Sequence, residues 1–155
     1  MFRIVSQSLR RQSKALALLS ELLQEEYFSI MERQADAVVS LEFSLQELIR
    51  QLAAEKRCVI QALGGQRVLK YAETLPEDQA AELRDIFAEV DRGEQLAARQ
   101  ASRNAQLSLA LLDQSTRNLR HLTKQVTPPD AAVYGARGTM RYKAHPDAAI
   151  LSGRL

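Results

Sequence analysis

The two histidines, His121 and His145, are the residues from which a metal or acid–base site would have to be built. A di-iron helical bundle needs Glu-x-x-His. The residue three before His121 is Asn118, and three before His145 is Tyr142, so that motif is absent. Cys58 is the single cysteine, and one thiol with two distant imidazoles does not make a zinc site. It forms no internal disulfide, and beside Val59 and Ile60 it reads as a buried structural thiol. Gly64-Gly65-Gln66-Arg67 lacks the Lys-Ser/Thr that completes a phosphate loop. The carboxylates Glu21, Glu25, Glu26, Glu77, Asp78, Glu82, Asp85 and Glu89 fall on helix faces, where solvation is the ordinary role. No catalytic, metal-binding or cofactor-binding constellation emerges, and the sequence points away from an enzyme.

Composition narrows the remaining classes. With 21 Lys+Arg against 19 Asp+Glu, the net charge of +2 is too balanced for a dedicated nucleic-acid binder. Aromatics are 5% and Trp is absent, which leaves little for a base-stacking platform. No window approaches the roughly 18 apolar residues of a membrane span. The start is basic (Arg3, Arg10, Arg11, Lys14) and lacks acids before Glu21, a composition like a transit peptide. These residues nevertheless run unbroken into the strongest helical pattern of the chain.

Only 6 Gly and 4 Pro punctuate 155 residues, too few turn residues for an all-β sandwich or barrel. Leu16, Leu19, Leu23, Tyr27, Ile30, Gln34, Val38, Leu41, Leu45, Leu48 and Leu52 recur at steps of three and four. Their mean spacing of about 3.6 is that of a straight α-helix. Without Gly or Pro before position 64, the pattern predicts one helix over 5–63, about 85–90 Å long. Gly64-Gly65 ends it. Thr74-Leu75-Pro76-Glu77 fits a capping box, opening a second helix from about 76 to 126 before Pro128-Pro129. That helix carries Leu83, Ile86, Phe87, Val90, Leu112, Leu119, Leu122 and Val126 on its stripe. Its middle is small (Gly93, Ala97, Ala98, Ala101, Ser102, Ala105, Ser108). This stretch either packs closely on the first helix or leaves a groove for a partner, and Gly93 is a possible break.

The expected fold is all-α: an elongated antiparallel hairpin or bundle of two long helices with a short connecting segment and a flexible C-terminal tail. Residues 1–126 form the helical rod and 127–155 the tail. The tail holds 3 of the 4 prolines, 3 of the 6 glycines and a net +2, leaving the body neutral. Antiparallel pairing would bring Arg10, Arg11 and Lys14 beside Arg117, Arg120 and Lys124. That basic tip either complements a helix macrodipole or docks to an acidic surface. Residue chemistry stops at an interaction protein for helices. The competing readings are an adaptor that oligomerises through the 16–52 stripe, and a peripheral membrane protein, which Glu21, Glu25 and Glu26 disfavour.

Three blocks go further. They are Glu55-Lys56-Arg57-Cys58-Val59-Ile60; Asn104 with Leu119 and Leu122 beyond it; and Val133-Tyr134-Gly135-Ala136-Arg137-Gly138. In order and spacing they resemble the FlgN family of flagellar export chaperones. The middle block departs from the family pattern, because Asn104 is followed by Ala105-Gln106 rather than by Gly and a bulky residue. The resemblance implies a cytoplasmic, non-enzymatic chaperone without cofactors. It would hold the C-terminal helical segment of hook–filament junction proteins of the FlgK and FlgL types. It also implies export-gate and ATPase components as partners, with no nucleic acid and no membrane insertion. Carried over by motif, the client site falls on Leu112, Leu119, Leu122 and Val126. Tyr134, with Gly135 and Gly138 permitting a turn, is implied in contact with the export machinery.

Overall fold

The computed structural model describes residues 1–126, with side chains as far as Gln125. Four helices and no strand occur among the described residues: α1 (Phe2–Met31), α2 (Ala35–Ala62), α3 (Val68–Ala72) and α4 (Glu77–Val126). The all-α expectation holds. The single helix over 5–63 does not, because the chain reverses at Glu32–Gln34 and the long helices number three.

The cause of that reversal is local. The Gln34 N–H donates to Ser29 O at 2.9 Å and the Arg33 N–H to Ile30 O at 3.1 Å. These are the two bonds of a Schellman ending, with Arg33 in the left-handed position at φ 58°. The same pair of bonds closes α2, from Gly65 to Ile60 O and from Gly64 to Gln61 O, with Gly64 at φ 57°. Glycine announces the second stop. The first is made by an arginine, at a cost of about 1–2 kcal/mol that tertiary packing must offset.

The chain forms two compact units, residues 1–108 and 109–155. In the first, α1 and α2 are antiparallel. Glu55 of α2 accepts from Ser8 Oγ at 2.6 Å and from Arg11 Nε and Nη2 at 2.6 and 2.9 Å. By contrast, α1 and α4 are parallel. Arg10 meets Glu82 at 2.8 Å, Ser13 meets Glu89 at 3.3 Å, and Asn104 donates to Leu23 O at 2.7 Å. Position numbers rise together along both helices, so the expected antiparallel pairing of first and last long helices is overturned. Inserting α2 between them reverses the direction once more. Lys56–Glu94 at 3.3 Å ties α2 to α4.

The core joins Val5, Leu9, Leu16, Leu19 and Leu23 of α1, Leu45 and Val59 of α2, and Leu83, Ile86, Val90 and Ala97 of α4. Leu63 and Ala72 close it at the loop and at α3. Five positions of the 16–52 stripe, Leu16, Leu19, Leu23, Ile30 and Leu45, are buried within the unit. α4 runs unbroken through Gly93. A Cβ there would stand 3.1 Å from Leu16 Cβ, so glycine permits a close approach of α1 and α4. Thr74 does not cap α4. Its hydroxyl donates to Tyr71 O at 2.7 Å, and the first α4 bond runs from Ala80 N–H to Pro76 O. Glu77 and Asp78 in the first turn complement the helix dipole instead. Cys58 is half-buried, less enclosed than its apolar neighbours suggest.

Candidate functional site

The described part of the second unit is the last stretch of α4, from Leu109. Leucines there face solvent: Leu109 is 65% exposed, Leu112 64%, Leu119 59% and Leu122 53%. At about 100° per residue these four fall within an arc of about 140°. Ser115, Thr116 and Thr123 lie inside the same arc. The Thr116 and Thr123 hydroxyls donate to Leu112 O at 2.9 Å and Leu119 O at 2.8 Å, one turn back, while Ser115 is exposed. The four leucines therefore share this face with three small hydroxyl residues. Isolated exposed leucines are ordinary; four on one face of a single helix form a candidate site.

Cations border one side of the stripe. On a helical wheel Arg120, Lys124 and Arg117 lie at about 20°, 60° and 80° from Leu109, away from the other leucines. Arg117 Nη2 holds Asp113 Oδ2 at 2.5 Å. The arrangement is an apolar strip with a basic flank, suited to an amphipathic helix whose own flank is acidic.

The remaining expected site residues are dispersed. Val126 ends α4, and its side chain lies outside the described residues, as do Tyr134, Gly135 and Gly138. Arg10 and Arg11 are engaged in the first unit with Glu82 and Glu55, and Lys14 is exposed on α1. Because α1 lies parallel to α4, Arg10 sits beside the start of α4 rather than its end. The expected basic tip therefore loses its premise, and its two clusters belong to different units.

Asn104 is a structural residue. It is 3% exposed, and its Nδ2 donates both to Leu23 O and to Glu26 Oε2, the latter at 2.6 Å. Its Oδ1 accepts from Gln100 Nε2 at 3.0 Å. Glu26 is itself 7% exposed. Burial pushes its carboxyl above the usual range; the Asn104 bond opposes that, and the nearby Glu42 carboxylate adds to it. Glu26 had looked like one more solvated acid, and only the position of α4 sets it apart. Leu109 was likewise missed, although it extends the Leu112 spacing by one turn. Glu55, in the first of the three sequence blocks, is a helix clamp. Its bond to Arg11 holds its carboxyl below the usual range.

Among the described residues, no group of three or more His, Cys, Asp or Glu side chains is placed to hold a metal ion. No helix there is long and apolar enough to cross a membrane. Neither curated proteins nor solved structures provide a match to the chain. The family model described as FlgN protein matches residues 1–142. On that match, which spans both units, the chain belongs to the FlgN family, a family of flagellar export chaperones.

Proposed function

We propose that this chain is a cytoplasmic, non-enzymatic chaperone for hook–filament junction proteins of the FlgK and FlgL types. It holds their C-terminal helical segment, prevents premature assembly and delivers them to the flagellar export gate and its ATPase components. The observation that carries this reading is the leucine stripe on the end of α4. An apolar face of that length is costly in water and inviting to an amphipathic helix. The client segment has the matching need, since its own apolar face awaits neighbours in the assembled filament. Binding needs no cofactor, because sequestration works by mass action.

Leu112, Leu119, Leu122 and Val126, with Leu109 added, form the client strip in this proposal. Arg117, Arg120 and Lys124 meet acidic residues at the client's edge. Tyr134, with Gly135 and Gly138 of the same sequence block, contacts the export machinery, where a tyrosine offers a broad, stiff side chain with a hydroxyl.

Calorimetry with purified junction proteins at physiological salt tests the proposal. The full chain, a truncation at Thr127, Leu119→Glu and Tyr134→Ala are compared. Leu119→Glu should abolish client binding while leaving the melting temperature in place, because the residue is exposed. Tyr134→Ala should bind clients normally and fail at the export gate. Undiminished client binding by Leu119→Glu would remove the stripe from the mechanism.

A further inference from the structure

The seam between α1 and α4 in the first unit opens to solvent along one side. Gln24, Tyr27 and Phe28 of α1 and Gln100 and Arg103 of α4 line a cleft of about 440 Å³ there. Packing within the protomer leaves its apolar residues uncovered: Phe28 is 64% exposed, Leu96 55% and Met31 54%. At about 100° per residue, Ala17, Gln24, Phe28 and Met31 share an arc of about 60° on α1. Leu96, Arg103 and Leu107 share one of about 40° on α4. Glu21 and Glu25 lie on the α1 edge beyond Phe28, and Arg99 lies on the α4 edge beyond Arg103.

The two walls carry opposite charge. Glu21, Glu25, Arg99 and Arg103 are exposed, and none has a hydrogen-bond or ion-pair partner among the described residues. Earlier along both helices the signs switch. There α1 carries Arg10 and Lys14, and α4 carries Asp85 and Glu89, with Arg92 at the change. The walls are also in register. Across the parallel seam, the contacts Arg10–Glu82, Ser13–Glu89 and Asn104–Leu23 join residues 72, 76 and 81 apart in number, so residues at that interval lie level. Arg10 with Asp85, Lys14 with Glu89, Glu21 with Arg99, and Glu25 with Arg103 all fall inside it.

Half of such a face repels a phosphate polymer or an anionic membrane, whereas the whole of it complements itself. We propose that a second copy of this chain docks on the α1–α4 face. A two-fold axis parallel to the helices lays α1 of each protomer over α4 of its partner, running in the same direction. Level residues then meet again: Glu21 faces the partner's Arg99 and Glu25 the partner's Arg103, while Arg10 and Lys14 face the partner's Asp85 and Glu89. Two-fold symmetry makes each pair occur twice. Phe28 packs on the partner's Leu107 and against the face of its Arg103 guanidinium. An antiparallel two-fold would also match charges, but it sets Phe28 and Met31 against the polar start of α1. The parallel arrangement places apolar residues on apolar residues.

The test is sedimentation equilibrium of the full chain. At about 0.1 mM protein and low ionic strength it should give twice the monomer mass of 17.4 kDa. Salt at about 0.5 M should weaken association about tenfold, because exposed charges are screened. Arg103→Glu and Glu25→Arg should each weaken it at least about tenfold, and the double variant should recover most of the loss. Phe28→Ser should also cost about tenfold. All three positions are exposed, so each variant should keep the parent's melting temperature by circular dichroism. The proposal is overturned if the chain is monomeric at that concentration, if the single reversals associate like the parent, or if the double variant is no better than either single. Recovery of Arg103→Glu by Asp85→Arg instead would overturn the parallel arrangement. A dimer lost in Leu119→Glu and kept in Arg103→Glu would move the contact to the leucine stripe and overturn it too. Client binding is read separately by calorimetry, so the two proposals stand or fall independently.

Discussion

Replacing Asn104 by alanine should be among the most damaging single polar changes in this chain. The substitution removes two donated bonds. One goes to Glu26 Oε2 at 2.6 Å and the other to Leu23 O at 2.7 Å. A bond to a charged group is worth about 1.5–3 kcal/mol and one to a neutral carbonyl about 0.5–1.5 kcal/mol. The loss at pH 7.5 should therefore be about 3 kcal/mol, or roughly 10 °C in Tm for a domain of this size. Much of it comes from the buried Glu26 carboxylate left without its donor. The sign of the pH dependence follows from the same geometry. Burial raises the Glu26 carboxyl in the folded state, so the folded protein binds the proton more readily than the unfolded chain. Its contribution to stability is then fully present below the unfolded value near 4.5 and is lost as pH rises through the raised folded value. Glu26→Gln keeps an acceptor for Asn104 and removes the charge. It should match or exceed the parent at pH 7.5 and lose that advantage near pH 4.5. Urea unfolding followed by circular dichroism at the two pH values measures both variants. An Asn104→Ala protein within about 0.5 kcal/mol of the parent, or a Glu26→Gln protein less stable at pH 7.5 than at 4.5 relative to the parent, would refute this account.

Three further outcomes are expected. Gly64→Ala should cost about 1 kcal/mol in urea unfolding, because Gly64 has φ +57° and open space around it, so backbone strain acts alone. Gly93→Val should cost about 2–3 kcal/mol, since its branches would enter the 3.1 Å approach to Leu16, and Leu16→Ala in the same chain should recover part of that loss. Glu55→Gln should destabilise by about 1 kcal/mol at pH 7, and the difference from the parent should shrink as pH falls below 4.5. The bond from Arg11 lowers the Glu55 carboxyl, so its contribution is present above the unfolded value and is lost as pH falls through the folded one.

The sequence alone determined that the chain is helical, where its last long helix begins to within a residue, and that Gly64 stops a helix. Those features rest on local energetics: apolar spacing at 3.6, with proline and glycine as punctuation. It also made Leu83, Ile86 and Val90 a core face, and the three blocks carried the family. What it hid was the reversal at Arg33. No glycine marks that turn, and the apolar period continues in phase from Ile30 to Val38 through exposed Gln34, so a periodicity argument passes straight through. Only tertiary structure chooses between one long helix and a folded pair, because folding back lets Leu16 and Leu23 join Leu45 and Val59 in one core. That burial outweighs a strained arginine. The same choice reversed the relation of α1 to α4, moved Arg10 to Glu82, and placed Asn104 over Glu26. It also left Leu112, Leu119 and Leu122 exposed although their spacing matches that of buried leucines. Spacing specifies which residues share a face, and the number and direction of neighbouring helices decide whether that face is covered.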